Sequence, residues 1–259
     1  MTSWRETLSV IVPAYNESAR IEQPLRRMCA YFAAQPYASE ILAIDDSSTD
    51  ATSAVVRRIA ETAPVPLRVL HYATNRGKGH ALKVGFEAAS GERILFSDAD
   101  LSTPIEETEA LLLALDQGFD VAIGTRKYAR ARITLHQPRH REAMGRVFTW
   151  LARKLLADVS DATCGFKAFR GPAGKDLFSR VRIRDWGFDA ELLMLVTRLG
   201  FRLTELPVRW EDREGTKVRL LRDALRSALA LARISAGAAL GVYEHPAPSG
   251  VRLIADPEP

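Results

Sequence analysis

Two aspartates separated by one residue, Asp98 and Asp100, follow a short apolar segment that contains Ile94-Leu95-Phe96. Because Mg²⁺ and Mn²⁺ prefer oxygen ligands, two carboxylates on one turn can converge on a single metal ion. Such an ion can bridge a diphosphate and neutralise charge on a departing nucleotide. A DxD triplet alone is a weak signal, since most are solvated turns. Its position after a buried strand makes it a candidate metal site.

A second acidic pair, Asp45 and Asp46, also ends an apolar segment. One interpretation is that these carboxylates cap the next helix, although Ser47, Ser48 and Asp50 could do this without them. The alternative is that a carboxylate here accepts the N3–H of a uracil base and contacts the ribose.

The turn Asn75-Arg76-Gly77-Lys78-Gly79 has the composition of an anion-binding turn. Its glycines let the backbone approach an anion, and its cations and the N-terminus of the next helix would stabilise that anion. It is not a Walker A motif, because GxxxxGK[ST] is absent, and no GxGxxG fingerprint follows the first strand.

The elements that must position these side chains alternate over the first half of the chain. Apolar runs predict strands at Leu8–Val12, Ile41–Ile44, Leu67–Tyr72, Arg93–Ser97 and Val121–Gly124, with helical periodicity between them. This alternation predicts an α/β fold with a mainly parallel, Rossmann-like sheet and helices on both faces. The carboxyl ends of parallel strands share one sheet edge, so the polar clusters should lie together.

The alternation ends near residue 126. We therefore divide the chain into a domain at 1–217, with halves at 1–126 and 127–217, a basic amphipathic helix at 218–245 and a tail at 246–259. Residues 129–142 are rich in Arg and His and are predicted to form a mobile loop. The tail contains several prolines and few apolar residues, which predicts disorder.

Composition limits the class of protein. The chain has 259 residues, of which 47% are hydrophobic and 26% charged, as is typical of a globular domain. The net charge of +4 is compatible with a phosphate, a membrane surface or nucleic acid. The basic residues lack interleaved aromatics and a known motif, which argues against nucleic acid.

Other features concern the compartment. Cys29 and Cys164 lack metal-ligand spacing and are interpreted as buried free thiols. The N-terminus does not have the pattern of a signal peptide, and no run of about 18 apolar residues predicts a membrane span. These features predict a cytoplasmic protein, either free or peripheral on the cytoplasmic face of a membrane.

Eight motifs between about residues 8 and 218 resemble those of the family 2 inverting glycosyltransferases with the GT-A fold. They are VIVPAYNES, AIDDSSTD, NRGKGHALKVG, FSDADLSTPIEE, GTR, CGFKAFR, WGFDAELL and ELPVRWEDREGTKV. Within that family they most resemble dolichyl-phosphate β-glucosyltransferases and their bacterial polyprenyl-phosphate relatives. One departure is Ser47, which stands where the family commonly has glycine.

The resemblance implies a UDP-sugar donor, with glucose favoured, held by the 1–126 half, and a polyprenyl or dolichyl phosphate acceptor at the 127–217 half. Mg²⁺ or Mn²⁺ would be held by Asp98 and Asp100. Related transferases can complete the metal shell with a glutamine where this chain has Ser102, so a water would substitute. The implied donor-binding residues are Pro13, Tyr15, Glu17, Asp45, Asp46, Arg76, Lys78, Gly79, Asp98 and Ala99.

The resemblance also implies an acceptor site and a catalytic set. The catalytic residues would be Asp189, Asp100 and Arg126, and the acceptor-binding residues would be Arg126, Lys167, Trp186 and Lys217. The mechanism would be a single in-line displacement that converts an α-linked donor into a β-linked product, driven by positioning and charge neutralisation. Trp186 and Trp210 could line the sugar or acceptor, or belong to the core. Lys217 could instead be a solvated lysine.

Asp189 matches the general base of other family members. A phosphate nucleophile is already ionised at neutral pH and needs no base, so with a lipid phosphate Asp189 would orient a cation or a sugar hydroxyl. With a soluble hydroxyl acceptor it would be the base. A helix-face carboxylate paired with a nearby arginine is the structural alternative.

The helix at 218–245 carries Arg219, Arg222, Arg226 and Arg233 at helical spacing, opposite a broad apolar face. A basic amphipathic helix can lie in a bilayer interface, and residues 218–240 are the predicted contact with a membrane. The alternative is a helix packed on the protein core with a solvated arginine edge. A non-catalytic module that binds a nucleotide sugar is the rival from another class of protein. The sequence does not indicate an oligomeric state.

Overall fold

The computed structural model describes residues 7–126, 133–135, 159–185, 187–211, 220–251 and 253–254. The first of these ranges alternates between strands and helices, as the apolar periodicity predicts. Its elements are β1 (Leu8–Ala14), α1 (Glu22–Ala33), β2 (Ser39–Asp45), α2 (Thr52–Ala60), β3 (Leu67–His71), α3 (Lys78–Ala88), β4 (Arg93–Ser97), a 3₁₀ turn (Ile105–Glu107), α4 (Thr108–Asp116) and β5 (Val121–Thr125).

The later ranges contain elements that are less regular in order. They are β6 (Ile133–Leu135), β7 (Phe166–Arg170), α5 (Gly171–Arg180), α6 (Phe188–Arg198), β8 (Leu203–Pro207), β9 (Trp210–Glu211) and α7 (Leu220–Ala239). Helix α5 was not predicted, because its two glycines and proline weaken the helical pattern. Gly174 is needed there for packing, since a Cβ at this position would lie 2.7 Å from the Phe86 ring.

Seven strands form one sheet in the order β3-β2-β1-β4-β7-β5-β8, and β6 pairs separately with β9. Every pairing in the large sheet is parallel except those of β7, which runs antiparallel to β4 and β5. The predicted mainly parallel α/β sheet is confirmed. Because β7 is reversed, its start lies at the same edge as the end of β4, where Ser97 pairs with Phe166.

Helices cover both faces of the sheet and close two apolar cores. On one face α1, α2 and α4 bury residues such as Leu25, Val56 and Leu112 against the strands. On the other face α3, α5, α6 and α7 form the second core, which includes stacked rings of Phe86 and Phe178 with centroids 3.8 Å apart. The two cysteines, Cys29 and Cys164, are buried and free, as predicted.

Helix α7 packs on α6 through its described C-terminal half. Ala230, Leu231 and Ile234 are buried, whereas Leu229 and Arg233 are exposed. The side chains of residues 220–228 lie outside the described part, so the arginine stripe at 219, 222 and 226 stays a prediction. In the described part of the chain, no helix combines the length and apolarity that crossing a membrane requires.

The chain after α7 differs from the predicted disordered tail over its described residues. The amide of Ala247 donates to the Ser179 carbonyl at 3.0 Å, and that of Ile254 donates to the His71 carbonyl at 2.9 Å. The guanidinium of Arg182 also donates to the carbonyl of His245. The low apolar content of this segment is compensated by such backbone hydrogen bonds, which composition does not reveal. Residues 252 and 255–259 lie outside the described part.

Candidate active site

The DxD turn lies directly after β4, at the carboxyl edge of the sheet. The amide of Asp98 donates to the Gly165 carbonyl at 3.1 Å, and the Asp98 side chain is 39% exposed. Asp100 Oδ1 accepts a hydrogen bond from the Ser102 amide at 2.9 Å. Leu101, which lies between Asp100 and Ser102, adopts a φ of 52°, a left-handed conformation that is unfavourable for a bulky residue. The buried Leu101 side chain anchors the turn, which leaves both carboxylates at the edge of the site.

Lys78 joins the glycine-rich turn to the DxD turn. Its ammonium forms an ion pair with Asp98 Oδ1 and lies 5.5 Å from the centre of the Phe96 ring. Burial disfavours the charge on Lys78, but the carboxylates of Asp98, Asp189 and Asp100 outweigh burial and raise its pKa. Lys78 is therefore a permanent cation beside the carboxylates. The turn and the DxD motif, separate in sequence, form one site.

Asp46 holds the glycine-rich turn in place. Its carboxylate accepts hydrogen bonds from the Tyr72 hydroxyl and from the amides of Arg76 and Gly77, each at 2.7 Å. Burial raises the pKa of Asp46 despite these donors. The resemblance implied a contact with uracil or ribose at this position. The structure shows Asp46 shaping the turn, with both of its oxygens facing amides of that turn, and its contact with uracil or ribose stays a prediction. Tyr72 was not singled out from the sequence, since its place at the end of a strand predicts only core packing.

Asp45 takes part in the local structure at the start of α2. Its Oδ1 accepts the Ser48 amide at 2.9 Å, and its Oδ2 accepts the Ser53 hydroxyl. This pairing with the loop and with a helix side chain is not an N-cap, because Asp50 Oδ1, and not Asp45, accepts the Thr52 amide that begins α2, at 3.0 Å. It does not exclude a further contact, because each carboxylate oxygen has two lone pairs.

The loop after β1 faces the same edge. Tyr15 is 41% exposed, whereas Glu17 is ion-paired with Arg20. Asn16 and Ser47 both have positive φ, 54° and 61°, and Asn16 Oδ1 accepts the Thr49 amide at 2.8 Å. The loops after β1 and β2 therefore support each other. The implied donor residue Pro13 is half-buried in β1, Ala99 is buried in the DxD turn, and the Gly79 amide donates to the Arg184 carbonyl at 2.8 Å.

Arg126 extends from the end of β5 and is held by a carboxylate that the sequence reasoning missed. Its Nε and Nη2 donate to Asp161 Oδ2 and Oδ1 at 2.7 and 2.8 Å, which is a bidentate pair. Asp161 is fully buried, and the Arg126 guanidinium stacks 5.3 Å from the Trp210 ring centre. Trp210 is only 9% exposed, so its ring is held in place and can pack against the Arg126 guanidinium. Asp161 gave no signal because it lies in an irregular polar segment.

Lys167 and Asp189 form a buried ion pair. Lys167 Nζ donates to Asp189 Oδ1 and to the Cys164 carbonyl, both at 2.6 Å, and its side chain is 0% exposed. Burial raises the pKa of Asp189, while Lys167 and Lys78 oppose this shift. A direct contact of Lys167 with an acceptor phosphate was expected. The structure differs, because β7 directs this side chain into the core, where it pairs with Asp189, donates to the Cys164 carbonyl and lies 5.0 Å from the centre of the Phe96 ring.

The carboxylates of the site fit a divalent cation whose remaining ligands would come from a substrate and from water. Among the described residues, no three or more His, Cys, Asp and Glu side chains form a group that could hold a metal ion. Asp98 and Asp100 supply two hard carboxylates, which is the number that Mg²⁺ usually takes from a protein when phosphates and water complete its shell. The Ser102 amide orients Asp100. Trp186, Lys217 and most of the 129–142 loop lie outside the described residues.

The sequence is similar to known transferases over most of its length. Glycosyltransferase AglD of Haloferax volcanii is 35% identical over 226 residues, which cover 84% of this chain and 35% of that protein. The dolichyl-phosphate beta-glucosyltransferase of Drosophila melanogaster is 33% identical over 224 residues, covering 82% of this chain and 69% of that protein. The chain thus spans about a third of the first relative and about two thirds of the second.

The fold is also that of solved glycosyltransferases. A crystal structure of glucosyl-3-phosphoglycerate synthase from Mycobacterium tuberculosis with UDP has a TM-score of 0.63 and 21% identity, covering 89% of this chain and 80% of that chain. Another structure of that enzyme contains Mn²⁺, UDP and glucosyl-3-phosphoglycerate. This likeness shows a shared GT-A fold. The model of the family described as Glycosyl transferase family 2 matches residues 9–178. The chain belongs to glycosyl transferase family 2.

Proposed function

We propose that the protein transfers glucose from UDP-glucose to dolichyl phosphate or a related polyprenyl phosphate, with inversion at the anomeric carbon. The observation that carries this proposal is the contact between Lys78 of the glycine-rich turn and Asp98 of the DxD turn. It brings a cation and two carboxylates to one sheet edge, which is the combination that a metal-bound diphosphate requires. The dolichyl-phosphate beta-glucosyltransferases of Drosophila melanogaster and Saccharomyces cerevisiae, 33% and 30% identical, support the choice of sugar and acceptor.

The donor half would act by fixing the diphosphate. Asp98 and Asp100 would hold Mg²⁺ or Mn²⁺, which supplies neutralisation of the leaving-group charge when bound. Lys78, which the turn shaped by Asp46 presents next to Asp98, would contact the phosphates through its ammonium. Tyr15, which is exposed in the loop after β1, is our candidate for the contact with the uracil base. UDP in the M. tuberculosis enzyme is consistent with this donor class.

The acceptor half would act through Arg126. Its guanidinium is held in one orientation by Trp210 and by Asp161, which accepts from Nε and Nη2, and the phosphate oxygen would be met by Nη1. Nothing has to remove a proton from a phosphate oxygen at neutral pH. The buried pair of Lys167 and Asp189 suits this reaction, because a carboxylate already bonded to an ammonium is a poor base. Asp189 would then orient Lys167 and add negative charge beside Lys78.

The acceptor lipid would be reached from a membrane surface. We propose that the helix predicted at 218–240 lies against the headgroups through the arginines at 219, 222, 226 and 233, while the described C-terminal half of α7 packs on α6. The salt dependence of vesicle binding tests this part of the proposal separately.

The direct test is transfer of radiolabelled glucose from UDP-glucose to dolichyl phosphate with Mn²⁺. We expect label in the organic phase, a β-linked product and loss of transfer when EDTA removes the metal. Asp98→Ala and Asp100→Ala should abolish transfer. Glu92→Gln should not, because Glu92 is an exposed carboxylate at the opposite end of β4. Label that appears only on a soluble hydroxyl acceptor would contradict the lipid-phosphate proposal. The absence of transfer from any nucleotide sugar would contradict the enzymatic one.

A further inference from the structure

Gly165 lies directly before β7, beside the DxD turn. A Cβ placed on it would stand 1.9 Å from Asp98 Oδ2, 2.4 Å from Asp98 Cγ and 2.8 Å from Asp98 Oδ1, which are its three nearest neighbours. Gly165 does not have a positive φ, so its φ does not by itself require glycine. The requirement for glycine therefore comes from one side chain, that of Asp98.

Two contacts keep the Asp98 carboxylate in this space. The Asp98 amide donates to the Gly165 carbonyl at 3.1 Å, which fixes the distance between the two backbones. On the other side, Lys78 forms its ion pair with Asp98 Oδ1. The carboxylate thus lies between Gly165 and Lys78, and any atom added at Gly165 must displace it.

We propose that Gly165 is a positioning residue for Asp98, in that its missing side chain provides the volume that the Asp98 carboxylate occupies. The spatial part of this inference depends on the described contacts alone. Its consequence for cation and diphosphate binding rests on the proposed function.

Gly165→Ala should move the carboxylate without preventing folding. Asp98 is 39% exposed, so its side chain can turn towards solvent when a methyl group takes its place. That movement would break the pair with Lys78 and withdraw one of the two carboxylates of the DxD turn. Residues that orient a metal ligand typically change metal affinity by about 10- to 100-fold when substituted.

The first arm of the test measures stability without metal or nucleotide. Urea unfolding in EDTA is compared for the unaltered protein, Gly165→Ala, Asp98→Ala and the double variant. Gly165→Ala should lower the unfolding midpoint of the unaltered protein and leave that of Asp98→Ala almost unchanged, because the clashing carboxylate is then gone. An equal decrease in both backgrounds would overturn the proposal. This arm does not depend on what the protein binds.

The second arm measures UDP binding by calorimetry with and without Mn²⁺. Gly165→Ala should reduce the Mn²⁺-dependent gain in affinity at least about tenfold, retain metal-free UDP binding and add no loss to Asp98→Ala. Gly174→Ala is the matched control, because its Cβ would crowd Phe86 and Phe169 in the core, away from the DxD turn. It should lower stability and keep the gain. A full gain in Gly165→Ala would overturn the proposal. If the unaltered protein shows no gain, the metal part of the proposed function fails and the urea arm still decides the role of Gly165.

Discussion

At the scale of single residues, the pair of Lys167 and Asp189 determines which chemistry is open to Asp189. The two side chains are 2.6 Å apart and shielded from water. Removing one member of a buried ion pair leaves an uncompensated charge, which typically costs about 3 to 5 kcal/mol, whereas replacing both members with neutral groups is often nearly neutral. Substituting one or both members therefore separates a pairing role from a proton-transfer role.

We expect Asp189→Asn to lower both stability and glucose transfer, and Lys167→Met/Asp189→Asn to recover much of both. Thermal unfolding and the initial rate of transfer to dolichyl phosphate are the measurements. Asp176→Asn on the surface of α5 is the control for loss of an exposed carboxylate. If Asp189 were a general base, the double variant would stay about 10²- to 10⁴-fold slower even after its stability returned.

Ser47 adopts a backbone conformation that glycine usually occupies. Its φ is 61°, and left-handed conformations cost L-residues roughly 1 kcal/mol. We expect Ser47→Gly to stabilise the protein by up to about 1 kcal/mol, less the extra entropy of glycine in the unfolded chain. Urea unfolding measures the change. Ser48→Gly is the control and should destabilise, because the Ser48 hydroxyl accepts the Asn16 amide at 2.9 Å. A loss of stability in Ser47→Gly would contradict the prediction.

His80 makes stability depend on pH. It is buried beside Tyr72, and burial, with the charges of Arg76, Arg184 and Lys83, lowers its pKa from 6.5 to about 4. Between these values the unfolded chain binds the proton and the folded protein does not. Stability is therefore complete above about pH 6.5 and is lost as pH falls towards 4, by on the order of 3 kcal/mol.

The measurement is the free energy of unfolding against pH for the unaltered protein and for His80→Gln. Between pH 6.5 and 4, we expect the free energy of unfolding of the variant to change less steeply with pH. The difference should be the contribution of one proton bound only by the unfolded chain. His245→Gln, at an exposed imidazole, should keep the original slope. Identical slopes for His80→Gln and the unaltered protein would show that another group carries the effect.

Residue types indicated the acidic and glycine-rich turns, and the structure brings Lys78 and Asp98 into contact as the sheet-edge argument required. The partners of several residues could not be read in the same way. Asp161, Tyr72 and Gly165 act through neighbours more than 20 positions away, and neither periodicity nor motif spacing encodes such contacts. Lys167 was assigned to a ligand for the same reason, since its burial depends on which face of β7 meets the core.

At the scale of elements, α7 has two kinds of surface. Its described half buries Ala230, Leu231 and Ile234 and exposes Leu229 and Arg233, so part of the amphipathic pattern is explained by packing on protein. Beyond the helix, Leu240 is 80% exposed. The side chains of the arginines at 219, 222 and 226 lie outside the described part, so packing on protein is not shown for them. These arginines are the basis of the membrane prediction.

We expect the protein to bind vesicles that contain anionic lipid and to dissociate as salt rises, because exposed charges are screened within about 8 Å at physiological ionic strength. Replacing Arg219, Arg222 and Arg226 with Gln should weaken sedimentation with these vesicles at least about tenfold, at roughly 1 kcal/mol per arginine. Replacing Arg26, Arg58 and Arg68 removes the same charge from exposed sites elsewhere and is the control. Equal weakening in both triple variants would mean that net charge alone drives binding.

The elements of the first half were predicted closely, because each strand is a short apolar run bounded by turn residues and each helix carries apolar residues at helical spacing. The reversed direction of strand β7 was not predicted. Direction depends on pairing with β4 and β5, and no local pattern records it. Helix α5 was missed because its glycines serve packing against Phe86 and not helix propensity.

At the scale of the whole molecule, the division at residue 126 does not separate two structural units. The sheet places β7, from the second half, between β4 and β5 of the first. The residues that we propose for donor and acceptor binding therefore lie along one sheet. Asp98 from the first half and the Gly165 carbonyl from the second share a backbone hydrogen bond. A description by halves remains useful for function, while stability is a property of the entire sheet.

The inserted strand also has a consequence for how the protein is made. When residue 126 has emerged from the ribosome, the strand that belongs between β4 and β5 has not yet emerged. Both strands then present unpaired backbone groups, the kind of edge that other chains can join. Translation at about 5 to 20 residues per second leaves the nascent chain in this state for a period of seconds. We therefore expect chaperones that bind the unpaired edges of β4 and β5 to help this protein fold until β7 pairs with both strands.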